Sequence, residues 1–222
     1  MLVNPYIVGA SGGGSQGGGG GGGSTLTEGL IYRYPFNGNI ADAVGSNHLT
    51  ANWFTPAYVT GKLNNALRVS PNGHMASGVV ANPDPCTFGG WFRGNWSAIV
   101  SGAKIIATLP ALVFSSDGAD IRLSVNGNLV SAKHTRASES EWCQMLAISE
   151  NQYTKFYVNG SLLGAVTAQL TASTGPMNFY GGATNDSGYN ADFDEWAVWN
   201  RALSHAEVGE LWNGGAGLEL TP

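Results

Sequence analysis

The residues with the clearest capacity for chemistry in this 222-residue chain are carboxylates on one apolar stretch, Asp192-Phe193-Asp194-Glu195-Trp196-Ala197-Val198-Trp199. Side chains of an extended strand alternate, so Asp192 and Asp194 fall on one face. Two acids at suitable spacing are what a retaining glycosidase needs as nucleophile and acid. The next position on that face is Trp196, not a third acid. Asp194 also reads as an acceptor of backbone amides, or a cation ligand, near the loop 39–45. Other catalytic arrangements lack support. His48, His74, His134 and His205 are isolated, without transition-metal spacing. There is no Ser-His-Asp or Cys-His order and no phosphate loop.

Aromatic residues are the other source of binding chemistry, with seven Trp and eight Tyr. Trp91, Trp142 and Trp196 occupy strand-like positions and are expected in the core. Trp53, Trp96 and Tyr189 lie among Asn, Gly and Ser, where an exposed ring stacks on a sugar face while amides bond its hydroxyls. These three are the candidate carbohydrate-binding residues.

Charged residues make up only 11% of the chain and the net charge is −5, so no basic field exists to attract nucleic acid or anionic lipid. Cys86 and Cys143 lack C-x-x-C spacing and fall in apolar runs, which favours buried free thiols over a bridge. Asn4-Pro5 interrupts the N-terminus before an apolar run develops, so no signal peptide is expected. No stretch approaches the ~18 apolar residues of a membrane span.

The chain divides into an arm, residues 1–25, and a domain, residues 26–222. Residues 11–24 are nearly all glycine, with no side chains to bury and the greatest backbone entropy to lose. The tract reads either as a flexible linker or as an arm ordered by backbone partners from neighbouring copies or a host shell. Leu2, Val3, Tyr6 and Ile7 beyond it form an apolar tag, which favours an assembly anchor and a homo-oligomer.

The elements that must position the carboxylates are a strand and a helix. Strict alternation groups Phe193, Glu195, Ala197 and Trp199 on one face and Asp194, Trp196 and Val198 on the other, and bulk on both faces marks a central strand. Ser204-His205-Ala206-Glu207 has capping-box spacing, and Asn213-Gly214-Gly215 supplies a left-handed stop. Upstream, short strand-like runs recur between turns, among them 30–36, 58–69, 98–100, 109–114, 121–125 and 129–130, with hairpin signals at Asn126-Gly127 and Asn159-Gly160. Many short strands and one terminal helix imply a two-sheet antiparallel sandwich.

The run from Asp194 through Ala202-Leu203-Ser204 and Glu207 to Trp212 resembles the closing segment of laminin-G-like, concanavalin A-like jelly-roll modules. Three earlier segments are similar to the same family: Tyr34-Pro35-Phe36 with Gly38-Asn39 and Asp42; Gly61-Lys62 with Asn65-Ala66-Leu67; and Thr87-Phe88 with Trp91. The resemblance runs in order from about Leu26 to Leu218. It implies an all-β jelly roll with one short C-terminal helix, and calcium as a candidate cofactor held by Asp42 and Asp194 with loop carbonyls. Glucanases of this fold place a third alternating acid where this chain has none. With its glycine-rich arm, the chain resembles structural or decoration proteins of tailed-phage virions. That likeness implies a non-enzymatic, virion-located protein displaying a lectin-like domain for glycan adhesion, joined through the arm to a capsid or tail. The alternatives are a secreted, extracellular carbohydrate-binding module and a glycoside hydrolase of the same fold.

Overall fold

The computed structural model describes residues 24–81, 83–94, 104–117, 120–138, 140–181 and 190–221. The anchor residues Leu2, Val3, Tyr6 and Ile7, the glycine tract, Trp96, Tyr189 and the strand expected at 98–100 lie outside them.

The strands are β1 (Leu30–Tyr34), β2 (Thr50–Asn52), β3 (Ala57–Thr60), β4 (Asn65–Val69), β5 (His74–Ala81), β6 (Cys86–Gly94), β7 (Lys104–Leu109) and β8 (Leu112–Asp117). They continue as β9 (Asp120–Val125), β10 (Asn128–Thr135), β11 (Cys143–Glu150), β12 (Tyr153–Val158), β13 (Ser161–Thr167), β14 (Thr174–Tyr180) and β15 (Ala191–Trp199), followed by helix α1 (His205–Trp212). One sheet runs β13-β12-β11-β6-β15-β4-β3, with β1 added to β15; the other runs β10-β9-β8-β7-β14-β5-β2. All these strand pairs are antiparallel. The fold is thus the expected two-sheet sandwich, a concanavalin A-like jelly roll.

β15 is the central strand and every one of its nine residues is buried. One edge pairs with β6, while the other is shared between β4, opposite Ala191 to Phe193, and β1, opposite Trp196 to Trp199. Between the sheets, Trp196 meets Phe88 and Phe179, each at 5.2 Å between ring centroids. On the outer face of the first sheet, Trp199, Ile148 and Leu30 form a second, smaller core with Val208 and Leu211 of α1. That helix starts where the sequence says it should, with the reciprocal Ser204–Glu207 capping box, and ends on Asn213 at φ 48°.

Strict alternation along β15 does not hold. Phe193 shares the inter-sheet core with Trp196 and Val198, whereas Ala197 and Trp199 face α1. The register with β6 slips between Asp194, opposite Trp91, and Ala197, opposite Gly89, and Glu195 has φ 49°. This is a β-bulge: one extra residue reverses the side-chain phase beyond it. The grouping of Phe193 with Glu195, Ala197 and Trp199 is corrected accordingly.

Other expectations shift for similar local reasons. The run 58–69 is a hairpin, β3 and β4 joined by a turn closed by the Gly61 N–H on the Asn64 carbonyl. The run 109–114 is broken at Pro110-Ala111, with Ala111 at φ 70°. Asn126-Gly127 and Asn159-Gly160 have φ of 51° and 78°, and 50° and 75°, the left-handed pairs that hairpin turns require. Cys86 and Cys143 are free and buried, and burial pushes both thiols up to about 12. Trp91 and Trp196 are buried, but Trp142 is half-exposed just before β11, a correction to its expected place in the core.

Candidate functional site

Trp53 is the most exposed large aromatic among the described residues, at 86%. It follows β2 in a left-handed conformation, φ 62°, which turns the ring away from the sheet. The indole lies edge-on to His74, 5.0 Å between centroids, and His74 in turn stacks on Tyr180 at 5.6 Å and 25°. Sheet register makes this row: His74 of β5 is opposite both Asn52 of β2 and Tyr180 of β14. Met75 and Phe179 point into the core, so their neighbours His74 and Tyr180 point outward. Beside them, the Asn178 amide donates to Thr108 Oγ1 at 3.2 Å. Burial holds His74 below the usual imidazole range, so the ring is neutral at pH 7. The result is an uncharged aromatic shelf flanked by amides and a hydroxyl.

A second constellation lies on the outer face of the first sheet. Arg68 of β4, Asp192 of β15 and Arg93 of β6 are direct cross-strand neighbours. Arg68 donates Nε and Nη2 to Asp192 at 2.7 and 2.9 Å, and Arg93 donates Nε and Nη2 at 3.0 and 2.8 Å. The Arg93 guanidinium also covers the face of Trp142 at 4.6 Å. Arg68, Asp192 and Arg93 line a cleft of about 720 Å³ together with Ser138, Ser140 and Asn190.

The structure gives Asp42 and Asp194 separate tasks. Asp42 accepts the amides of Arg33 and Val44 on Oδ1 and of Asn47 on Oδ2, which pins the loop after β1. A cation there would have to displace three N–H donors. Asp194 is fully buried and takes the Leu63 amide on Oδ2 at 2.7 Å, so its contact is with the turn between β3 and β4 and not with the loop 39–45. Its Oδ1 has no hydrogen-bond partner among the described residues. The pair does not fit a shared calcium site, and among the described residues no three His, Cys, Asp or Glu cluster for a metal. Nor do Asp192 and Asp194 form a catalytic pair. Asp192 is clamped between two guanidiniums, and only it borders the cleft.

Burial pushes the Asp194 carboxyl up to about 8, against its bond to the Leu63 amide. In the unfolded chain an Asp titrates near ~4. Between these values the native state holds the extra proton, so this group's contribution to stability is full below about pH 4 and is lost as pH rises through about 8. Stability should fall by up to about 1.4 kcal/mol per pH unit inside that window. Asp194→Asn should remove this component, leaving the slope due to Glu195, which burial pushes up to about 7. Urea denaturation at pH 5, 6.5 and 8.5 measures it. Identical slopes in the two proteins would refute the assignment.

Of the three expected carbohydrate-binding residues, Trp53 is exposed and built into a shelf. Trp96 and Tyr189 lie outside the described residues. Sequence reading missed His74 and Tyr180 as its partners, and missed Arg68 and Arg93 entirely. Their one signal was a charged or polar residue alternating with apolar ones inside strand-like runs, which is also what any solvent-facing strand position looks like.

The two antiparallel sheets and the short C-terminal helix have the architecture of a concanavalin A-like jelly roll. Residues 132–209 match the laminin G-like family model described as the concanavalin A-like lectin/glucanases superfamily. Among solved structures, the binding domain of botulinum neurotoxin serotype D superposes with a TM-score of 0.69 at 12% identity, over 83% of this chain and 51% of that one. The binding domain of Paraclostridial Mosquitocidal Protein 1 gives 0.68 at 13% identity, over 86% and 53%. Botulinum neurotoxin type C, whose cell entry depends on interaction with two ganglioside molecules, gives 0.66 at 13% identity, over 86% and 52%. The chain thus spans about half the length of these structures, and at such identities the likeness is one of fold. No curated protein matches the sequence. No helix among the described residues is long and apolar enough to cross a membrane.

Proposed function

We propose that this chain is a non-enzymatic, virion-borne binding protein whose jelly roll adheres to glycans through the Trp53–His74–Tyr180 shelf. The observation that carries the reading is Trp53 itself. A tryptophan 86% exposed and held at positive φ, edge-on to an imidazole that stacks on a phenol, presents an open aromatic surface to solvent. An indole face with neighbouring amides and hydroxyls matches a sugar ring, apolar on one side and hydroxyl-bearing at its edge. The ganglioside dependence of botulinum neurotoxin type C and the binding-domain character of the other neighbours support glycan recognition on this fold. Clamping of Asp192 and burial of Asp194 support the absence of catalysis.

Trp53→Ala should weaken binding to an array of neutral oligosaccharides of glucose, galactose and N-acetylglucosamine by about tenfold, the equivalent of one lost stacking contact. Its melting temperature should stay unchanged, because the side chain is in solvent. Equal binding by the variant would refute the shelf as the glycan site.

The arm supplies the second half of the proposal. An apolar tag beyond a glycine tract suits attachment to a capsid or tail, with copies of the arm packing together. Deleting residues 1–23 should leave a folded domain that is smaller in oligomeric state by light scattering and no longer joins the particle. A truncated chain that assembles as well as the full one would reduce the arm to a linker.

A further inference from the structure

The geometry points to a second, separate binding site: the cleft built on Arg68, Asp192 and Arg93 takes the carboxylate of an acidic sugar. It lies on the first sheet, whereas the Trp53 shelf belongs to the second, and the inference does not depend on that shelf.

A cross-strand Arg-Asp-Arg ladder has a purely structural use, which is to lock the register of β4, β15 and β6. The chain shows elsewhere what such a lock looks like. Arg33 and Glu195 are sealed, with side chains only 7% and 4% exposed. In the cleft, by contrast, only the acid is sealed, at 3%, while Arg68 is 38% and Arg93 24% exposed. The cations are open and their counter-ion is closed.

The guanidinium donors are also incompletely used. Asp192 receives four N–H···O bonds, two from each arginine, and so both its oxygens are engaged. Each guanidinium has five N–H donors. Arg68 spends only its Nε and Nη2 on protein acceptors, and Arg93 adds one bond from Nη2 to the Thr60 carbonyl at 3.2 Å. Neither Nη1 has a protein acceptor among the described residues. Among the described lining residues, two cations stand against one anion. The resident carboxylate shows that these forks accept the geometry of a second one.

The rest of the lining favours a saccharide over a simple anion. A cleft of about 720 Å³ is within the range of small-ligand sites, far larger than an isolated carboxylate needs. Ser138, Ser140 and Asn190 offer hydroxyl and amide partners to ring hydroxyls, and Trp142 backs Arg93 as a fixed platform. The absence of a wider basic field argues against nucleic acid, whose binding requires several phosphate contacts.

The test is titration calorimetry of the full chain with an oligogalacturonate, a neutral maltohexaose, a sulfated heparin-derived oligosaccharide and an oligoglutamate peptide. The oligogalacturonate should bind, and its affinity should fall as salt rises from ~50 to ~500 mM, as screening requires for a partly exposed charge pair. Arg68→Gln should weaken this binding about tenfold or more, the loss of one charge-assisted pair. Arg68→Lys, which keeps charge and loses the fork, should recover part of it. Arg122→Gln removes the same charge from the other sheet and should leave it unchanged. Asp192→Asn, by removing the resident competitor, should strengthen it severalfold. Thermal melts of each variant separate these effects from unfolding. No oligogalacturonate binding, or binding indifferent to both Arg68 variants, would overturn the site. Equal binding of the sulfated oligosaccharide or the oligoglutamate would overturn the carboxylated-sugar assignment.

Discussion

Gly90→Ala should destabilise the domain by about 3 kcal/mol or more, a large effect for one added methyl group. A Cβ at this position would stand 2.5 Å from Cγ and 2.6 Å from Cδ1 of Trp196. Trp196 cannot retreat. Its Nε1 donates to the Trp91 carbonyl at 2.7 Å, and its ring is packed edge-on against Phe114, Phe179 and Phe193 between the sheets. Rigid interiors pass such an overlap into backbone shifts instead of absorbing it. The shift would fall on the bulge in β15, and so on the register that aligns Asp192 with its two arginines and Glu195 with Arg33. Guanidinium denaturation of wild type and variant measures the loss. A variant within about 1 kcal/mol of wild type would show that the bulge relaxes freely.

That glycine also marks the boundary of what the sequence makes legible. Element existence was readable because its causes are local. Asn126-Gly127 and Asn159-Gly160 demand hairpins, and Ser204 with Glu207 caps a helix whatever surrounds them. Side-chain facing along β15 was not readable, because the bulge depends on a partner strand offering a glycine, Gly90, about a hundred residues away. The same distance hid the cleft. Arg68, Arg93 and Asp192 come from three strands, and nothing local distinguishes them from ordinary surface charges. Trp53 was visible as an aromatic in a polar turn. Its companions His74 and Tyr180 were not, since only the pairing of β5 with β14 brings them together. Asp42 was singled out as a calcium ligand and instead accepts three backbone amides, because a calcium role and an amide-binding role need the same residue type at the same place.

Arg33→Met should cost about 3–5 kcal/mol, because it strands a buried carboxylate. Arg33 donates three hydrogen bonds of 3.0 to 3.2 Å to Glu195, and Glu195 occupies the bulge with φ 49°. Burial already pushes Glu195 up to about 7 while Arg33 pulls it down, so removing the guanidinium moves it further up. A carboxyl whose folded value is raised contributes its stability below the unfolded value of ~4.3 and loses it as pH rises through the folded one. The variant should therefore be nearest wild type around pH 4.5 and worst at pH 8. A double variant, Arg33→Met with Glu195→Gln, should regain most of the loss at pH 8, since a neutral amide no longer needs a counter-ion. Urea titrations of the three proteins at both pH values give the coupling energy directly. If the single variant lost equal stability at the two pH values, or if the double variant were no better than the single, the penalty would come from lost packing of the arginine stem against β15, and the buried pair would not be what holds the bulge in register.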